Sequence, residues 1–357
     1  MEVHAEALER IAQAILAAAG SSEEEAGKVA QKLVGANLAG HDSHGVIRVP
    51  QYVDQVRAGH IVPNQNAEVA SETDVVTVLD GHGGYGQILG EQSVQAAIDK
   101  ARGHGIALSA LRGSAHLGRL GDWAEMAAAA GMASLHFVNA TGIPLRVVPH
   151  GGRDGRGTTN PIAIGIPVEG GGPVILDFAT SATAEGKVRV ARNKGVQIPP
   201  DCLLDADGQP TTDPAKLYTD PPGHLVPFGG ATGAHKGGAL WLMVDLLAGA
   251  FTGGGCSRPP EGAARFSSSM LSIVIAPKAY ADAGAVGAEV RRYLDFVKSA
   301  RPRTPGGEVL LPGEPERRVR TERLAAGIPI DPTTWDHIMT AAEAVGLDRA
   351  GLESMAA

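Results

Sequence analysis

The chain has 357 residues, of which 43% are hydrophobic and 20% charged; this composition excludes a disordered chain and a small disulfide-stapled scaffold. At about 150 residues per domain, the length favours two or more modules. The formal net charge of -8 provides no basic surface for a phosphate backbone, so no nucleic-acid partner is expected.

The cysteine content and the apolar runs indicate the cellular compartment of the protein. Cys202 and Cys256 are too few and too far apart for a CxxC metal site, and we interpret them as reduced thiols of a cytoplasmic protein. The first ten residues carry three glutamates and no basic segment, and the apolar run at 239–244 ends at Asp245. A membrane span needs about 20 apolar residues, so neither a signal peptide nor a transmembrane helix is predicted.

The N-terminal segment has the periodicity of helices. Leu8, Ile11 and Ile15 keep a helical spacing, and Ser21 with Glu24 predicts a capping box for a second helix. A third helix is predicted to begin near residue 49, because the proline that follows is tolerated only in a first turn.

From about residue 73 the pattern changes to strands alternating with helices, which predicts an α+β (mixed α/β) fold. Strands are predicted at 75–80, 106–113, 133–139, 161–167, 173–179 and 270–276. Helices are predicted up to about residue 103 and at 123–130, 182–192, 239–250 and 283–298. The segment 201–230, rich in Pro, Asp and Gly, is predicted to be a long connection.

A helix near the C-terminus is predicted to begin at Asp331, with Pro332 at its first position. Its apolar face includes Trp335, Ile338 and Met339. This face needs a packing partner, and we expect the N-terminal helices to provide it.

A GxGxxG motif is formed by Gly81, Gly83 and Gly86, between a predicted strand and a predicted helix. This is the context of a dinucleotide-binding Rossmann turn. The next strand, however, ends in Leu111 and Arg112 rather than in the acidic residue that would hold a ribose. The motif is therefore either a Rossmann turn or an ordinary tight turn.

His44, Arg48 and Tyr52 are spaced i, i+4 and i+8, which places them on one face if the segment is helical. This trio suits a small carboxylate substrate: Arg clamps the carboxylate, His lies near the carbonyl oxygen, and Tyr donates a further hydrogen bond. The alternative is a surface helix capped at Asp42 or Ser43. A metal site at His41 and His44 is not expected, since no third ligand has a suitable spacing.

Two further segments hold candidate site residues. His116 follows a predicted strand and precedes a helix, a position that faces a crevice, although a lone histidine is often structural. Lys236 lies among glycines ahead of a predicted helix, but its neighbours His235 and Gly237 do not fit a P-loop. It could still bring a cation to a phosphate, and Thr180 stands at a similar helix start.

Together these segments resemble the malate/L-lactate dehydrogenase family, whose members are distinct from the Rossmann dehydrogenases. The resemblance covers nearly the whole chain and depends on several motifs occurring in order. They are DSHGVIRVPQYV, SAHLGRLGDWAEMA, TTNPIAIGIP, ILDFATSATAEGKV, LLDADGQPTTDP, HKGGALWLMVDLLAG and LLPGEPE.

The resemblance implies a homodimeric enzyme with a non-Rossmann, largely β cofactor domain and with N- and C-terminal helices packed together. Residues 1–72 with 315–357 would form a helical substrate and dimer domain, 73–120 an α/β segment, and 121–314 the NAD(P)-binding domain. The reaction would interconvert a 2-hydroxy acid and a 2-oxo acid with NAD or NADP, or reduce a cyclic imino acid. The GxGxxG motif would then be unrelated to the cofactor.

The resemblance also implies roles for individual residues. His44 and His116 would carry the acid/base role, of which we favour His116, and Ser43, Arg48 and Tyr52 would bind the substrate. The cofactor contacts would be Asn160, Pro161, Asp177, Phe178, Ala179, Thr180, Ser181, Lys187, His235, Lys236, Gly313 and Glu314.

The chain departs from the family pattern at Leu117 and Ala140, which predicts a wider pocket near His116 and no hydroxyl contact from position 140. Basic residues such as Arg189 and Arg192 do not separate NADP from NAD, because they can face a 2′-phosphate or solvent. A non-catalytic carboxylate-binding protein remains the alternative from another functional class.

Overall fold

The structure, a computed structural model, describes residues 1–259 and 265–356. Within them the helices are α1 Ala5–Ala18, α2 Glu23–Leu38, α3 Val49–Arg57, α4 Gly86–His104, α5 Gly121–Ala129, α6 Glu185–Lys194, α7 Gly230–Asp245, α8 Ala283–Lys298, α9 Glu314–Ala326, α10 Pro332–Ala344 and α11 Arg349–Ala356. The strands are β1 Glu2–Val3, β2 Glu68–Glu72, β3 Val76–Asp80, β4 Ile106–Ser114, β5 Ala133–Thr141, β6 Pro161–Ile166, β7 Val174–Ala179, β8 Leu203–Leu204, β9 Pro210–Thr211, β10 His224–Leu225, β11 Ser267–Ile275 and β12 Ile328–Pro329.

The central sheet has the strand order β2-β3-β4-β11-β5-β6-β7. Only β3 and β4, joined by α4, pair in parallel, and the other neighbouring strands are antiparallel. A doubly wound Rossmann sheet requires several parallel strands in succession. The non-Rossmann α+β expectation is therefore confirmed, and the Rossmann alternative is wrong.

The N- and C-terminal helices pack together around one core, as predicted. Ile11, Ile15 and Leu33 from α1 and α2 are fully buried in the same cluster as Ile338 and Met339 from α10. The cap of α2 lies one residue later than predicted: Ser22 rather than Ser21 accepts a hydrogen bond from the backbone N–H of Glu25. The domain boundaries given above stay predictions.

The sheet has one well-covered face and one partly open face. On the first face, α4 and α5 bury Leu111, Trp123 and Val138. On the second, α7 continues into a π-helical turn at Leu246–Ala250 and covers only part of the strands. Half-buried hydrophobic residues remain there, namely Val78, Leu108, Leu135, Ile164, Leu176, Phe178 and Ile273.

The predicted long connection at 201–230 has more structure than its composition indicates. It contains a small sheet of order β10-β8-β9 and a 3₁₀ turn at Pro214–Tyr218. This segment stays connected to the main sheet through a bridge between Ser181 and Pro227. Among the described residues, no helix is both long and apolar enough to span a bilayer.

Candidate active site

The side chain of Asn37 holds the conformation of the segment that carries the predicted substrate residues. Its side-chain oxygen accepts the backbone N–H of Val46 at 2.9 Å, and its amide nitrogen donates to Asp42 at 2.7 Å. A Cβ atom at Gly45 would overlap the Asn37 amide, so glycine is required at this bend. The chain forms two 3₁₀ turns, 42–44 and 46–48, before α3. The expectation of one helix face is therefore wrong at this point.

The predicted histidines nevertheless come together. The ring of His44 stacks on the ring of His116, with centroids 5.4 Å apart and planes inclined by 26°. Nδ1 of His44 lies 2.9 Å from the hydroxyl of Ser43, and Nδ1 of His116 lies 2.8 Å from the hydroxyl of Tyr52. Four predicted site residues from two distant segments thus form one contiguous group.

The electrostatic surroundings keep both imidazole rings neutral. Burial, followed by the charge of the Arg48 guanidinium, lowers the pKa of His44 to about 3. Burial, followed by the charge of Arg48, also lowers the pKa of His116 well below its usual value of 6.5. Neutral rings can accept or donate single hydrogen bonds to a substrate.

Arg48 is anchored close to the two histidines. Its Nε donates to the backbone oxygen of Ser43 at 2.7 Å, and Nη1 donates to Gln51 at 2.8 Å. Within residues 1–259 and 265–356, Nη2 donates no hydrogen bond. The guanidinium is thus held by two of its nitrogens, while the third remains available for an anion.

Gln87 and Arg119 belong to this neighbourhood but were missed from the sequence. Gln87 donates to the hydroxyl of Tyr52 at 2.8 Å. Arg119 is almost fully buried and pairs with Asp122 at 2.8 Å and with Glu125 at 2.7 Å, which fixes the turn after His116. Gln87 directly follows the glycine motif, and Arg119 lies three residues after His116. These positions were the only sequence signals.

Leu117 corrects one expectation about the pocket. It is 2% exposed and belongs to the apolar core under α4 and α5. Since the side chain faces that core, the leucine at this position does not widen the space around His116.

Most of the candidate cofactor residues lie along β7, the last strand of the sheet. Gly313 and Glu314 lie at its beginning, where the backbone N–H of Ile175 donates to Pro312. Thr180 and Ser181 follow its end. In the middle, the carboxylate of Asp177 accepts the backbone N–H of Gly121 at 2.7 Å, which joins β7 to the turn after His116.

Several of these side chains are occupied by the fold. Asn160 has a positive φ of 37° and donates to Asp245 at 3.0 Å. The Thr180 hydroxyl donates to the backbone oxygen of Asn160 at 2.8 Å, and the Ser181 hydroxyl donates to the backbone of Thr183. Their contribution to a ligand would therefore come from shaping the backbone.

The other predicted cofactor residues, apart from those on α6 and α7, lie on β6, β7 and α9. Pro161 pairs with Ala179 in the sheet, and the ring of Phe178 packs edge-on against Phe228 at 5.4 Å. The Glu314 carboxylate accepts the backbone N–H of Leu311 at 2.8 Å and pairs with Lys298 at 2.6 Å.

Three further candidate cofactor residues lie on helices and are exposed. Lys187 is on α6, while His235 and Lys236 are within α7. The latter two were predicted to precede the helix, but α7 begins earlier than the apolar pattern indicates because its first turns are glycine-rich. Exposed lysines such as Lys187 and Lys236 can pair with phosphate groups.

Side-chain and backbone atoms of the protein occupy the space next to the glycines of the GxGxxG loop. Gly83 has a φ of 81°, and a Cβ there would overlap the guanidinium of Arg265, which donates to the backbone of Gly83 and His60. A Cβ at Gly86 would overlap the backbone of His116. These glycines allow close packing, so the tight-turn interpretation fits the loop.

We therefore expect Gly83→Ala to destabilise the fold without weakening cofactor binding. Alanine in the left-handed region costs about 1–2 kcal/mol, and the Arg265 side chain must also move. Thermal unfolding should show a lower Tm, while titration with NADH should give an unchanged Kd. A lost NADH affinity in a folded Gly83→Ala protein would assign the cofactor to this loop.

Among the described residues, no group of three or more His, Cys, Asp or Glu side chains is arranged to hold a metal ion. His41 instead lies 3.6 Å from Glu316 of α9.

Comparisons with known proteins identify the family of the chain. The profile of the malate/L-lactate dehydrogenase family matches residues 3–339. Hydroxycarboxylate dehydrogenase B of Escherichia coli K12 is 41% identical over 356 residues, which cover 98% of this chain and 96% of that protein. A solved Escherichia coli structure, provisionally described as a malate/lactate dehydrogenase, is 40% identical with a TM-score of 0.93, over 99% of this chain and 98% of the other.

The solved delta1-piperideine-2-carboxylate reductase of Pseudomonas syringae is 32% identical with a TM-score of 0.81, over 96% of this chain and 100% of the other. The resemblance drawn from the sequence is thus confirmed. The chain belongs to the malate/L-lactate dehydrogenase family, whose dehydrogenases interconvert hydroxy acids and oxo acids.

Proposed function

We propose that this dehydrogenase interconverts a small 2-hydroxy acid and its 2-oxo acid with NAD or NADP. The observation that carries the proposal is the stacked pair His44 and His116 beside the anchored guanidinium of Arg48. A carboxylate binder needs only the guanidinium. Two neutral imidazoles next to the guanidinium can in addition transfer a proton to or from the oxygen on the carbon beside the substrate carboxylate.

Each residue has a defined task in this proposal. Arg48 binds the substrate carboxylate, and His44, held by Ser43, orients the oxygen that reacts. His116 exchanges the proton with that oxygen. The nicotinamide cofactor, when bound, supplies or accepts the hydride.

We place the cofactor along β7, from Gly313 to Ser181. The exposed cations Lys187 and Lys236 suit its diphosphate, and the link from Asp177 to Gly121 keeps this strand next to the His116 turn. NAD and NADP are both compatible, since Arg189 and Arg192 of α6 provide cations for a 2′-phosphate.

A second candidate substrate is a cyclic imino acid. It is favoured by the full-length similarity to a piperideine-2-carboxylate reductase. Such a substrate also has a carboxylate beside the carbon that receives hydride, so Arg48 would serve both reactions. A cytoplasmic location stays a prediction.

The experiment is a thermal-shift screen with NADH and NADPH, followed by assays of 2-oxo acids and of piperideine-2-carboxylate. The proposal predicts a rise in Tm with at least one cofactor and turnover of a 2-oxo acid. Turnover of the imino acid alone would establish the second candidate. No cofactor binding would contradict both and favour a carboxylate-binding protein.

We also propose a homodimer, formed on the α7 side of the sheet rather than by the terminal helices that the resemblance implies. The outer side of α7 and its π turn expose Leu242, Met243, Leu246 and Phe251, the last at 75%. Contiguous exposed apolar residues mark association surfaces.

We expect a solution mass of about twice the 36.6 kDa of the chain. Because a buried carboxylate opposes association, Met243→Glu should give the monomer mass by light scattering. The control is Met355→Glu on α11, which is also exposed and should leave the mass unchanged. A monomeric wild-type protein would contradict this proposal.

A further inference from the structure

A buried row of polar groups leads from α4 to His116. The amide nitrogen of Gln87 donates to the hydroxyl oxygen of Tyr52 at 2.8 Å, and the same hydroxyl lies 2.8 Å from Nδ1 of His116. Gln87 is 2% exposed and Tyr52 is 1% exposed, so water does not replace these contacts. Neither the family resemblance nor the comparisons assign Gln87 a role.

The row determines which nitrogen of His116 carries the proton. A tyrosine hydroxyl has one proton. Its oxygen accepts from Gln87, and among the described residues the only other partner of the hydroxyl is Nδ1 of His116. The hydroxyl proton is therefore paired only if it is donated to an unprotonated Nδ1. The neutral ring therefore holds its proton on Nε2, to which no hydrogen bond is found within the described part of the chain.

The orientation of the Gln87 amide supports this assignment. In the structure its carbonyl oxygen is the buried atom without a partner. The reversed amide would instead bury an unpaired NH₂ group. Because orphaned N–H groups are rarer in proteins than under-satisfied carbonyl oxygens, the observed orientation is the favourable one.

We propose that Gln87 is a positioning residue: through Tyr52 it fixes the tautomer of His116, so that the imidazole presents Nε2–H to the oxo group of the substrate. This inference rests on the proposed function, because it requires His116 to face a reacting oxygen. The sequence could not show it, since Gln87 and Tyr52 are 35 residues apart.

The charges around the ring explain why a neutral donor is needed. The titratable or charged groups near His116 are Arg48, His44 and Tyr52, and Tyr85 packs against Tyr52. An imidazolium would be buried beside the Arg48 cation, an arrangement that both desolvation and like charge oppose. A neutral pair of His116 and Tyr52 avoids this cost.

The proton transfer in reduction then balances within the pair. As hydride adds to the carbon, the Nε2–H bond of His116 breaks and its proton passes to the former oxo oxygen. The O–H bond of Tyr52 breaks and its proton passes to Nδ1. The phenolate left on Tyr52 accepts from Gln87 and is attracted by Arg48. After product release it takes back the Nδ1 proton of His116, and Nε2 of His116 regains a proton from water.

The first test reads the tautomer directly. In the full-length protein labelled with ¹⁵N-histidine, two-bond ¹H–¹⁵N NMR separates the Nε2–H and Nδ1–H forms, and a His116→Asn protein identifies the His116 signal. We expect Nε2–H in the wild type. In Gln87→Glu a carboxylate attracts the Tyr52 proton, so we expect Nδ1–H. An Nδ1–H form in the wild type, or an unchanged tautomer in Gln87→Glu, overturns the proposal.

The second test is kinetic and keeps the proposal falsifiable if Gln87→Glu folds poorly. Loss of a group that orients a metal-ligating histidine typically costs 10- to 100-fold, and by analogy we expect a kcat decrease of about that size in Gln87→Glu. The same substitution in a Tyr52→Phe background should have little further effect, because the connection is already cut. Additive losses in kcat would contradict the proposed connection from Gln87 through Tyr52 to His116.

A matched control is available on the same helix. Gln95 is exposed and bonds only to Asp99 among the described residues, so Gln95→Glu should leave both kcat and the His116 tautomer unchanged. If the wild type turns over no 2-oxo acid, the proposed function fails, while the NMR result still decides the tautomer.

Discussion

We expect His116→Ala to lower kcat for reduction of the 2-oxo acid by roughly 10²- to 10⁴-fold, the usual contribution of general acid–base catalysis. His116 is the ring connected to the buried Tyr52 hydroxyl at 2.8 Å, whereas His44 contacts the hydroxyl of Ser43. Steady-state assays at saturating cofactor should show the loss mainly in kcat. Fluorescence titration should show cofactor affinity unchanged.

Two other histidines act as controls for this prediction. His44→Ala should raise KM more than it lowers kcat, because we assign His44 to orienting the substrate. His104→Ala changes an exposed histidine at the end of α4 and should have no effect. A larger kcat loss in His44→Ala than in His116→Ala would assign the acid/base role to His44 instead.

The pH dependence follows from the lowered pKa of both rings. A histidine whose pKa is lowered stays neutral until the pH falls to that lowered pKa, so neither His44, at about 3, nor His116, well below 6.5, gains a proton near neutrality. Reduction kcat/KM should therefore be constant from pH 6.5 to about 8. A decrease centred near 6.5 that disappears in His116→Ala would indicate an imidazolium acid instead.

The fold could be predicted where burial gives the sequence a period. The strands β3, β4, β5 and β6 were predicted from alternating or continuous apolar runs, and the structure has them within a few residues. Helix α9 was missed because it buries no residue completely, so no apolar stripe marks it. The strand order could not be read from such local patterns, since β11 inserts between β4 and β5 from far along the chain.

The site was only partly predictable for a related reason. His44, Arg48 and Tyr52 were selected through a helical spacing, yet a bend at Gly45 interrupts that helix. They still meet His116 because Asn37 fixes the bend and because Tyr52 lies in the first turn of α3. Such a contact depends on a side chain from another helix, which no spacing within the segment can reveal.

The second large effect is expected from Arg48→Lys. Lysine keeps the charge but loses the planar fork of guanidinium nitrogens, and here that fork also holds the Ser43 backbone at 2.7 Å and Gln51 at 2.8 Å. Hydrogen bonds to charged groups contribute about 1.5–3 kcal/mol. We therefore expect KM for the 2-oxo acid to rise roughly 10- to 100-fold.

The same argument sets the control and the contradicting result for Arg48→Lys. Arg57 ends the same helix, α3, and is exposed, so Arg57→Lys should leave KM unchanged. Cofactor Kd should be unaffected in both proteins, because we assign Arg48 to the substrate carboxylate and place the cofactor along β7. An unchanged KM in Arg48→Lys would show that the substrate carboxylate binds elsewhere. The stacked histidines alone would then have to orient the substrate, and a search for the carboxylate site would turn to the arginines of α6.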